Sequence, residues 1–307
     1  MLVARPSEDG FAVVDSFSRI TRLGEGIAAS GRLSVAAMDR TIRALKSCAD
    51  KMHRSRVGQS RLVATEACRR ASNLDEFACR VEAETGLALD VISTDEEAAL
   101  ALAGCAPLLD DARRWALVFD IGGGSTELIW VEMQNGVPVV QDVMSLRLGV
   151  VTLSEQHGEG SHDPETYKKL VENLGQMVDA FGTRNGIGAM IRSECAQVLG
   201  TSGTVTTLAA LHLGLSRYDR NLVDGAVMSA GQIASVTQRL SAMSKGERSR
   251  HPCIGAGRAD LVLAGCAILE AMCQKWSFNM LRVADRGVRE GVLLNMMNKA
   301  HTQVIPL

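Results

Sequence analysis

The chain lacks the features that mark several large classes of protein. Lysine and arginine number 33 against 35 aspartates and glutamates, so the net charge of −2 provides no basic field for nucleic acid or a membrane surface. Only six prolines and no low-complexity tract are present, which argues against long disordered linkers. The longest apolar stretch, Leu261–Met272, contains Glu270 and is too short to cross a bilayer. We therefore expect partners other than nucleic acid or membrane.

The eight cysteines also lack the spacing of a redox or metal site. None of them forms a C-x-x-C pair, and most lie in apolar, helix-like segments. The six histidines show no metal-ligand spacing either. Met1–Gly10 contains no apolar run of the kind that a secretory signal needs. Reduced thiols in a cytoplasmic protein are the expectation.

What the chain does have is 46% apolar residues and alternating strand-like and helix-like segments, which predict an α/β fold. Strands are predicted at Phe11–Phe17, Arg61–Thr65, Leu87–Ile92, Ala196–Leu199 and Met280–Val283, and a hairpin over Glu127–Leu146. Helices are predicted at Ser34–His53, Asn73–Thr85, Thr94–Leu109, Pro164–Phe181, Ser229–Met243, Ala259–Cys273 and Arg289–Lys299. The charged segment Asp110–Arg114 is predicted to link two domains, with a ligand site in the cleft between them.

The most informative stretch is FDIGGGSTE, which begins at Phe119 and lies between two apolar, strand-like segments. Three glycines weaken a strand, but they let a tight turn point its N–H groups at a phosphate. Asp120 supplies a carboxylate at the end of the first strand, where Mg²⁺ would bind. Ser125 and Thr126 add hydroxyl donors. The stretch has neither the dinucleotide fingerprint nor the Walker pattern, and it resembles the phosphate hairpin of the actin, heat-shock-70 and sugar-kinase superfamily.

That superfamily has two similar halves, and a weak internal repeat is present here. Three dipeptides recur at an offset of 126 residues, namely Leu2-Val3 with Leu128-Ile129, Asp9-Gly10 with Asn135-Gly136, and Val13-Val14 with Val139-Val140. The same offset places the partner of the Asp120–Thr126 loop before Met1. We therefore expect the chain to begin just after its first phosphate loop, through a late start codon, a truncation or a true half-site.

Four further segments combine charged or hydroxyl residues with the end of a strand or the start of a helix. Glu96 and Glu97 are either catalytic carboxylates or acidic residues that a helix dipole favours in its first turn. Arg69 follows a strand and could contact phosphate oxygens bidentately. The segment Asp285–Gly291 is either a hinge or a solvated helix start. A loop that is either an anion site or a simple helix cap consists of Gly200, Thr201, Ser202, Gly203 and Thr204.

As a set, these motifs resemble the exopolyphosphatase / guanosine pentaphosphate phosphohydrolase (Ppx/GppA) family, in order and approximate spacing over nearly the whole chain. The resemblance is to the short members that lack an appended C-terminal helical domain. It implies two actin-like, ribonuclease-H-like domains that flank a cleft. Domain I would comprise residues 1–114 with a C-terminal helix of about 291–307, and domain II residues 115–290.

By this resemblance, Glu97 is the base for the attacking water, and Asp120 and Glu127 are the carboxylates associated with the hydrolytic water and with a metal, Mg²⁺ or alternatively Mn²⁺. The implied reaction is Mg²⁺-dependent phosphoanhydride hydrolysis, on polyphosphate or on the 5′-phosphate of guanosine pentaphosphate. The implied phosphate-binding residues are Gly122, Gly123, Gly124, Ser125, Thr126, Arg69, Gly200, Thr201, Ser202, Gly203 and Thr204.

Two departures from the family pattern keep other interpretations open. The family usually has glycine and an acidic residue before its Glu-Ala and arginine after it, where this chain has Thr94-Asp95 and Ala99. The first family loop, of the type Asp-[IL]-Gly-[ST]-Asn, is absent, as the repeat predicts. The alternatives are a non-catalytic binder or sensor of phosphorylated ligands and a nucleotide-dependent kinase. A homodimer is a further expected assembly.

Overall fold

The structure, a computed structural model, describes residues 1–7, 10–158 and 163–302, with no side-chain description for residues 298–302. Strands alternate with helices, which confirms the predicted α/β class. By its internal contacts the chain divides into two units, which we call unit 1 (residues 1–104 and 288–307) and unit 2 (residues 105–287). The segment Asp110–Arg114, predicted as a linker, lies inside unit 2.

Unit 1 contains two separate two-stranded sheets and a set of helices. One sheet pairs the first two strands antiparallel, and the other pairs the third and fourth strands parallel. In chain order the elements are β1 (Leu2–Ser7), β2 (Gly10–Ser16), α1 (Ile27–Ser30), α2 (Val35–Arg54), β3 (Leu62–Ala64), α3 (Glu66–Arg70), α4 (Leu74–Thr85), β4 (Leu89–Val91) and α5 (Thr94–Cys105).

Helices α2 and α4 of unit 1 begin and end within one residue of their predicted bounds. Ser34 caps α2, because its side-chain oxygen accepts from the backbone N–H of Ala37 at 3.2 Å. Gly86 ends α4 with a φ of 70°, a left-handed conformation that glycine adopts without steric penalty. By contrast, α5 ends four residues earlier than predicted, and a short 3₁₀ turn that contains Pro107 follows it.

Unit 2 is built on a six-stranded sheet with the order β7-β6-β5-β8-β10-β9. Its elements are β5 (Trp115–Ile121), β6 (Thr126–Gln134), β7 (Val137–Leu146), α6 (Val150–His157), α7 (Pro164–Arg184), α8 (Ile187–Arg192), β8 (Ala196–Thr201), α9 (Gly203–His212), α10 (Arg220–Val223), β9 (Val227–Ser229), α11 (Ala230–Ala242), α12 (Lys245–Arg250), α13 (Val262–Trp276) and β10 (Met280–Ala284). The last helix, α14 (Val288–Thr302), belongs to unit 1.

The central strand β5 organises unit 2. It pairs antiparallel with β6 and parallel with β8, and four consecutive residues, Ala116–Phe119, have no exposed surface. Burial on both faces explains why this strand is a continuous apolar run. The β6–β7 hairpin turns at Asn135 and Gly136, whose φ angles of 52° and 78° fit the tight turn that Asn-Gly predicts. Its ladder changes register once, between Trp130 and Val131.

Two further expectations concern the thiols and the membrane. All eight cysteines are free, and five of them are buried, which agrees with reduced core thiols. Among the helices of the described ranges, none combines the length and the apolarity that a membrane span needs.

Helix α14 packs against α5 so closely that one residue must be glycine. A Cβ at Gly291 would overlap the carbonyl oxygen of Leu100 and lie 2.7 Å from its carbonyl carbon. Because this neighbour is backbone, it cannot rotate away as a side chain would. The Arg289-Glu290-Gly291 motif therefore includes a glycine that has a packing role.

We expect Gly291→Ala to lower the free energy of unfolding by about 1–3 kcal/mol, the usual effect of overpacking. The matched control is Gly175→Ala in α7, where an added Cβ would meet no atom within 4 Å. That change should raise the free energy of unfolding by about 0.5–1 kcal/mol, because alanine favours helix more than glycine does. Denaturant unfolding measures both variants, and equal effects would contradict the close approach of α14 and α5.

Candidate functional site

Unit 2 places four polar side chains in one row across its sheet. Asp120 in β5 lies opposite Glu127 in β6 on one side and opposite Thr201 in β8 on the other. Glu127 in turn lies opposite Ser145 in β7. Directly opposite residues point to the same face of a sheet, so the register brings the predicted carboxylates Asp120 and Glu127 together.

The two carboxylates have different environments. Glu127 is only 1% exposed, and the hydroxyl of Ser145 donates to its Oε1 at 3.0 Å. Asp120 is half-buried at the end of its strand. The hydroxyl of Thr201 donates to the backbone carbonyl of Arg286 at 2.5 Å, so this predicted phosphate ligand uses its proton within the protein. Sequence reasoning missed Ser145, because the regular register of the Asn135-Gly136 hairpin would place Met144 opposite Glu127, and only the change of register between Trp130 and Val131 brings Ser145 there.

The glycine loop that follows β5 is held from the side by the start of α6. The N–H of Gly122 donates to the carbonyl of Ser125, and the N–H groups of Val150 and Val151 donate to the carbonyls of Gly122 and Gly123, all at 2.9 Å. Within the described ranges, the N–H groups of Gly123 and Gly124 donate to no protein acceptor. Loop carbonyls are thus used internally, while two successive N–H groups stay available for an anion.

Gly149 makes this arrangement sterically feasible, a role that sequence reasoning did not assign to it. A Cβ at Gly149 would lie 2.5 Å from the carbonyl oxygen of Gly122. A Cβ at Gly122 would lie 3.0 Å from the carbonyl oxygen of Ser125, whereas one at Gly123 would make an ordinary contact of 3.5 Å with Val151. The tightest position therefore lies outside the glycine run itself.

The second predicted loop lies beside the first one. The hydroxyl of Ser202 donates to the carbonyl of Ile121, the last residue of β5. Ser202 has φ 82° and ψ −178°, a region that glycine favours, and such strain is typical of functional loops. Gly203 begins α9 directly afterwards, so the structure gathers Asp120, the glycine loop and the start of α9 at one end of the sheet.

Arg258 adds a cation that sequence reasoning did not identify. Its Nε would lie 3.2 Å from a Cβ at Gly203, so the guanidinium group packs against the first turn of α9. A helix N-terminus already favours an anion, and a neighbouring arginine strengthens that preference. Arg258 lies in a loop about 55 residues from Gly203 in sequence, with no motif around it, so only the fold reveals the proximity.

Unit 1 places two further predicted residues, Glu97 and Arg69, next to each other. Glu97 is 8% exposed, and its Oε2 lies 2.9 Å from Nη1 of Arg69. The guanidinium group is aimed elsewhere, because Nη1 donates to the carbonyl of Ile92 at 2.9 Å and Nη2 donates to Glu66 at 3.2 Å. The pair is therefore an ion pair in which Oε2 of Glu97 accepts no hydrogen bond from the described residues.

Burial raises the pKa of Glu97, while Arg69 acts in the opposite direction and does not fully compensate. Its neighbour Glu96 is more exposed, and its Oε1 accepts a hydrogen bond from Nη2 of Arg61 at 2.7 Å. The two glutamates, which the sequence could not distinguish, thus lie in different environments. Glu66, which binds Arg69 from the same helix, was not singled out by sequence reasoning.

The oxygen donors of unit 2 fit the predicted Mg²⁺. Among the described residues, no group of three or more His, Cys, Asp or Glu side chains is placed to hold a metal ion. Mg²⁺ at phosphate sites typically takes one or two carboxylates and completes its shell with phosphate oxygens and water. Asp120 and Glu127, opposite each other in the ladder, supply a donor set of that kind. Magnesium itself stays a prediction.

The buried Glu97 predicts a specific dependence of stability on pH. Its pKa is raised above the ordinary value of 4.5, so above pH 4.5 the folded protein keeps a proton that the unfolded chain has lost. The contribution of Glu97 to stability therefore falls as the pH rises through this range. We expect Glu97→Gln to gain stability relative to the wild type between pH 4 and pH 7 in denaturant unfolding. Glu96→Gln is the control, and an equal gain there would contradict the assignment.

Comparison with known proteins places these features in a family. The family model described as the Ppx/GppA phosphatase family matches residues 2–300. Exopolyphosphatase 2 of Mycobacterium tuberculosis is 30% identical, over 91% of this chain and 88% of that protein. The crystal structure of the Aquifex aeolicus member of the Ppx/GppA family has a TM-score of 0.77 at 31% identity, and that of an exopolyphosphatase-like protein has 0.86 at 28%. Both alignments cover 97% of this chain and 94% of the other. The predicted resemblance is confirmed, and the chain belongs to the Ppx/GppA phosphatase family.

Proposed function

We propose that this protein is a hydrolase of phosphoanhydride bonds that releases terminal phosphate from inorganic polyphosphate. The observation that carries the proposal is the end of the unit 2 sheet, where Asp120 and Glu127 adjoin the available N–H groups of Gly123 and Gly124. Family membership supports it, since one relative is named an exopolyphosphatase. Carboxylates beside an anion-binding loop are the donors that phosphoryl transfer requires.

In this proposal the residues of unit 2 hold the terminal phosphate. The N–H groups of Gly123 and Gly124 bind its oxygens, and Arg258 with the start of α9 extends the positive potential. Asp120 and Glu127 would hold Mg²⁺, which when bound neutralises charge on the phosphate oxygens. Ser145 keeps the Glu127 carboxylate oriented through its 3.0 Å hydrogen bond.

Glu97 is proposed as the base for the attacking water. A general base works best when its pKa is closer to the working pH than that of an ordinary glutamate, and burial shifts Glu97 in that direction. Arg69 keeps the carboxylate in place and balances its charge.

The same terminal-phosphate chemistry would serve the 5′-phosphate of guanosine pentaphosphate, which we include as a second substrate. The alternative function is a binder or sensor that holds polyphosphate without hydrolysing it. Binding and hydrolysis separate the two proposals, because a binder would retain polyphosphate on a filter while releasing no phosphate. Measuring both quantities on the same protein decides between them.

We expect Glu97→Gln to lower the turnover of polyphosphate about 100-fold, as is typical when a general base is lost. The substitution keeps the shape of the side chain and removes its basicity, so the affinity for polyphosphate should change little. Glu96→Gln is the matched control and should keep its turnover. Phosphate release measures all three proteins, and unchanged turnover in Glu97→Gln would exclude Glu97 as the base.

A second functional prediction concerns the metal. Phosphate release should stop when a chelator is added and return with Mg²⁺ or Mn²⁺. Asp120→Asn should raise the Mg²⁺ concentration needed for half-maximal activity by about 10-fold or more, because one of very few carboxylate ligands is lost. Asp111→Asn, an exposed site just before β5, is the control. Full activity in the chelator would contradict the role of both carboxylates.

A further inference from the structure

Three charged side chains of unit 1 form a buried cluster, and the proposed function has so far used only two of them. Glu66 and Glu97 are 6% and 8% exposed, and the guanidinium group of Arg69 contacts both carboxylates. Oε2 of Glu66 lies 3.2 Å from Nη2 of Arg69, and Oε2 of Glu97 lies 2.9 Å from Nη1. Two buried carboxylates thus share one positive charge.

The parallel pairing of β3 with β4 brings the three residues of this cluster together. Ala64, the last residue of β3, lies opposite Val91, the last residue of β4, so both strands end at the same edge. Helix α3 follows β3 and contains Glu66 and Arg69, which lie three positions apart and are therefore neighbours on the helix surface. Helix α5 follows β4 and carries Glu97 in its first turn. The fold, and not the local sequence alone, creates the cluster.

Glu66 occupies one complete edge of the Arg69 guanidinium group. Nε and Nη2 of Arg69 both donate to Oε2 of Glu66, at 3.3 and 3.2 Å. The contact with Glu97 runs through the third nitrogen, Nη1, which also donates to the carbonyl of Ile92 at 2.9 Å. A guanidinium group binds a carboxylate most strongly when it offers two parallel N–H groups. Because Glu66 takes the Nε–Nη2 pair, Glu97 faces a nitrogen that a backbone carbonyl already shares.

We propose that Glu66 is a positioning residue, which fixes Arg69 in an orientation that keeps its pairing with Glu97 partial. The inference rests on the proposed role of Glu97 as the base and adds the residue that sets the strength of that base. A full bidentate pair would stabilise the charged form of Glu97 and so weaken it as a proton acceptor. Without any arginine, a buried carboxylate would have no compensating charge. Glu66 holds Arg69 between these two extremes.

The electrostatic influences on Glu97 agree with this role. Burial has the largest effect and raises the pKa of Glu97, whereas Arg69 and a hydrogen bond from the side chain of Thr65 lower it. The like charge of Glu66 raises the pKa again. Glu66 therefore opposes Arg69 in two ways, since it draws the guanidinium group to itself and adds a second negative charge.

Charged groups on the other elements around the base have different partners. On α5 itself, Asp95 is exposed and Glu96 binds Arg61 at 2.7 Å. On α14, which packs against α5, the carboxylate of Glu290 lies 4.0 Å from the guanidinium group of Arg289. The charged groups that act on the base both come from α3.

The test measures the titration of Glu97 by NMR on the full 307-residue chain, labelled with ¹³C at the glutamate side-chain carboxyls. The Glu97 signal is assigned by its absence in Glu97→Gln. In Glu66→Gln, Arg69 can turn toward Glu97 and a like charge is removed, so both effects lower the pKa of Glu97. We expect the midpoint of its titration to fall by about one pH unit, as a newly available opposite charge typically causes.

Three further variants make the test specific. Glu84→Gln is the matched control, because it removes a carboxylate that also pairs with two cations but lies at an exposed position of α4, and it should leave the Glu97 midpoint unchanged. Glu66→Asp keeps the charge and should return the midpoint toward its wild-type value. Glu66→Met suits a buried position and replaces Glu66→Gln if that variant does not fold, with the same fall in the midpoint expected.

Activity provides a second readout. A base must be deprotonated to act, so phosphate release rises as the pH rises through the pKa of Glu97. In Glu66→Gln this acid limb should move to lower pH by the same amount as the NMR midpoint. Turnover on the plateau should fall much less than the about 100-fold expected for Glu97→Gln, because the base is weakened and not lost.

The possible results separate this inference from the proposed function. A purely structural role of Glu66 would lower the melting temperature of Glu66→Gln without moving the Glu97 midpoint, and that result would overturn the proposal. An equal fall of the midpoint in Glu84→Gln would overturn it as well. If the midpoint falls as expected but the wild type releases no phosphate at any pH, the positioning role of Glu66 stands and the proposed hydrolase function fails.

Discussion

The pairing of β5 with its two neighbours is the constraint on which the site in unit 2 depends. Because β5 is bonded on both edges and buried on both faces, its carboxyl end is fixed in place. Asp120, Glu127 and Thr201 lie in one row only in this register. The glycine loop leaves the same strand end, and Ser202 is tied to Ile121 there. Positioning of several donors thus follows from a single well-packed strand.

The two units use burial in different ways. In unit 2 the buried apolar strand places backbone N–H groups at a turn, and the buried carboxylate of Glu127 beside it accepts a hydrogen bond from the hydroxyl of Ser145. In unit 1 a carboxylate is itself buried, and its ion pair with Arg69 does not offset the desolvation fully. Burial of this carboxylate costs folding free energy, and such a cost is the kind of trade between stability and activity that functional sites commonly show. The close packing of α14 on α5, which carries Glu97 in its first turn, helps to hold that helix rigid.

Local signals in the sequence predicted much of the fold. The Ser34 cap, the Gly86 stop and the Asn135-Gly136 turn depend on neighbouring residues only, and the structure contains all three. The family and the α/β class are also confirmed, because several weak motifs occur in a fixed order. Short helices such as α6 and α12 were missed, since six to eight residues give too few turns for a periodic pattern.

The less predictable parts of the site depend on contacts between distant segments. Position 149 must be glycine because a Cβ there would clash with the carbonyl oxygen of Gly122. Arg258 packs against Gly203. Neither Gly149 nor Arg258 lies in a motif. The distinction between Glu96 and Glu97 follows from which side of α5 is buried, and two adjacent glutamates cannot reveal that side. Thr201 is the opposite case: it lies in a predicted phosphate-binding loop, but its hydroxyl donates to the backbone carbonyl of Arg286.

The change of register between Trp130 and Val131 bears on how this hairpin can vary among related sequences. The irregularity divides the β6–β7 ladder into a part next to the site and a part that ends at the Asn135-Gly136 turn. Side chains alternate between faces, so one inserted residue in the first part would turn Glu127 away from Asp120. An insertion beyond the irregularity leaves the pairing of Glu127 with Ser145 untouched. The length of the hairpin can therefore change at its tip without disturbing the row formed by Asp120, Glu127 and Ser145.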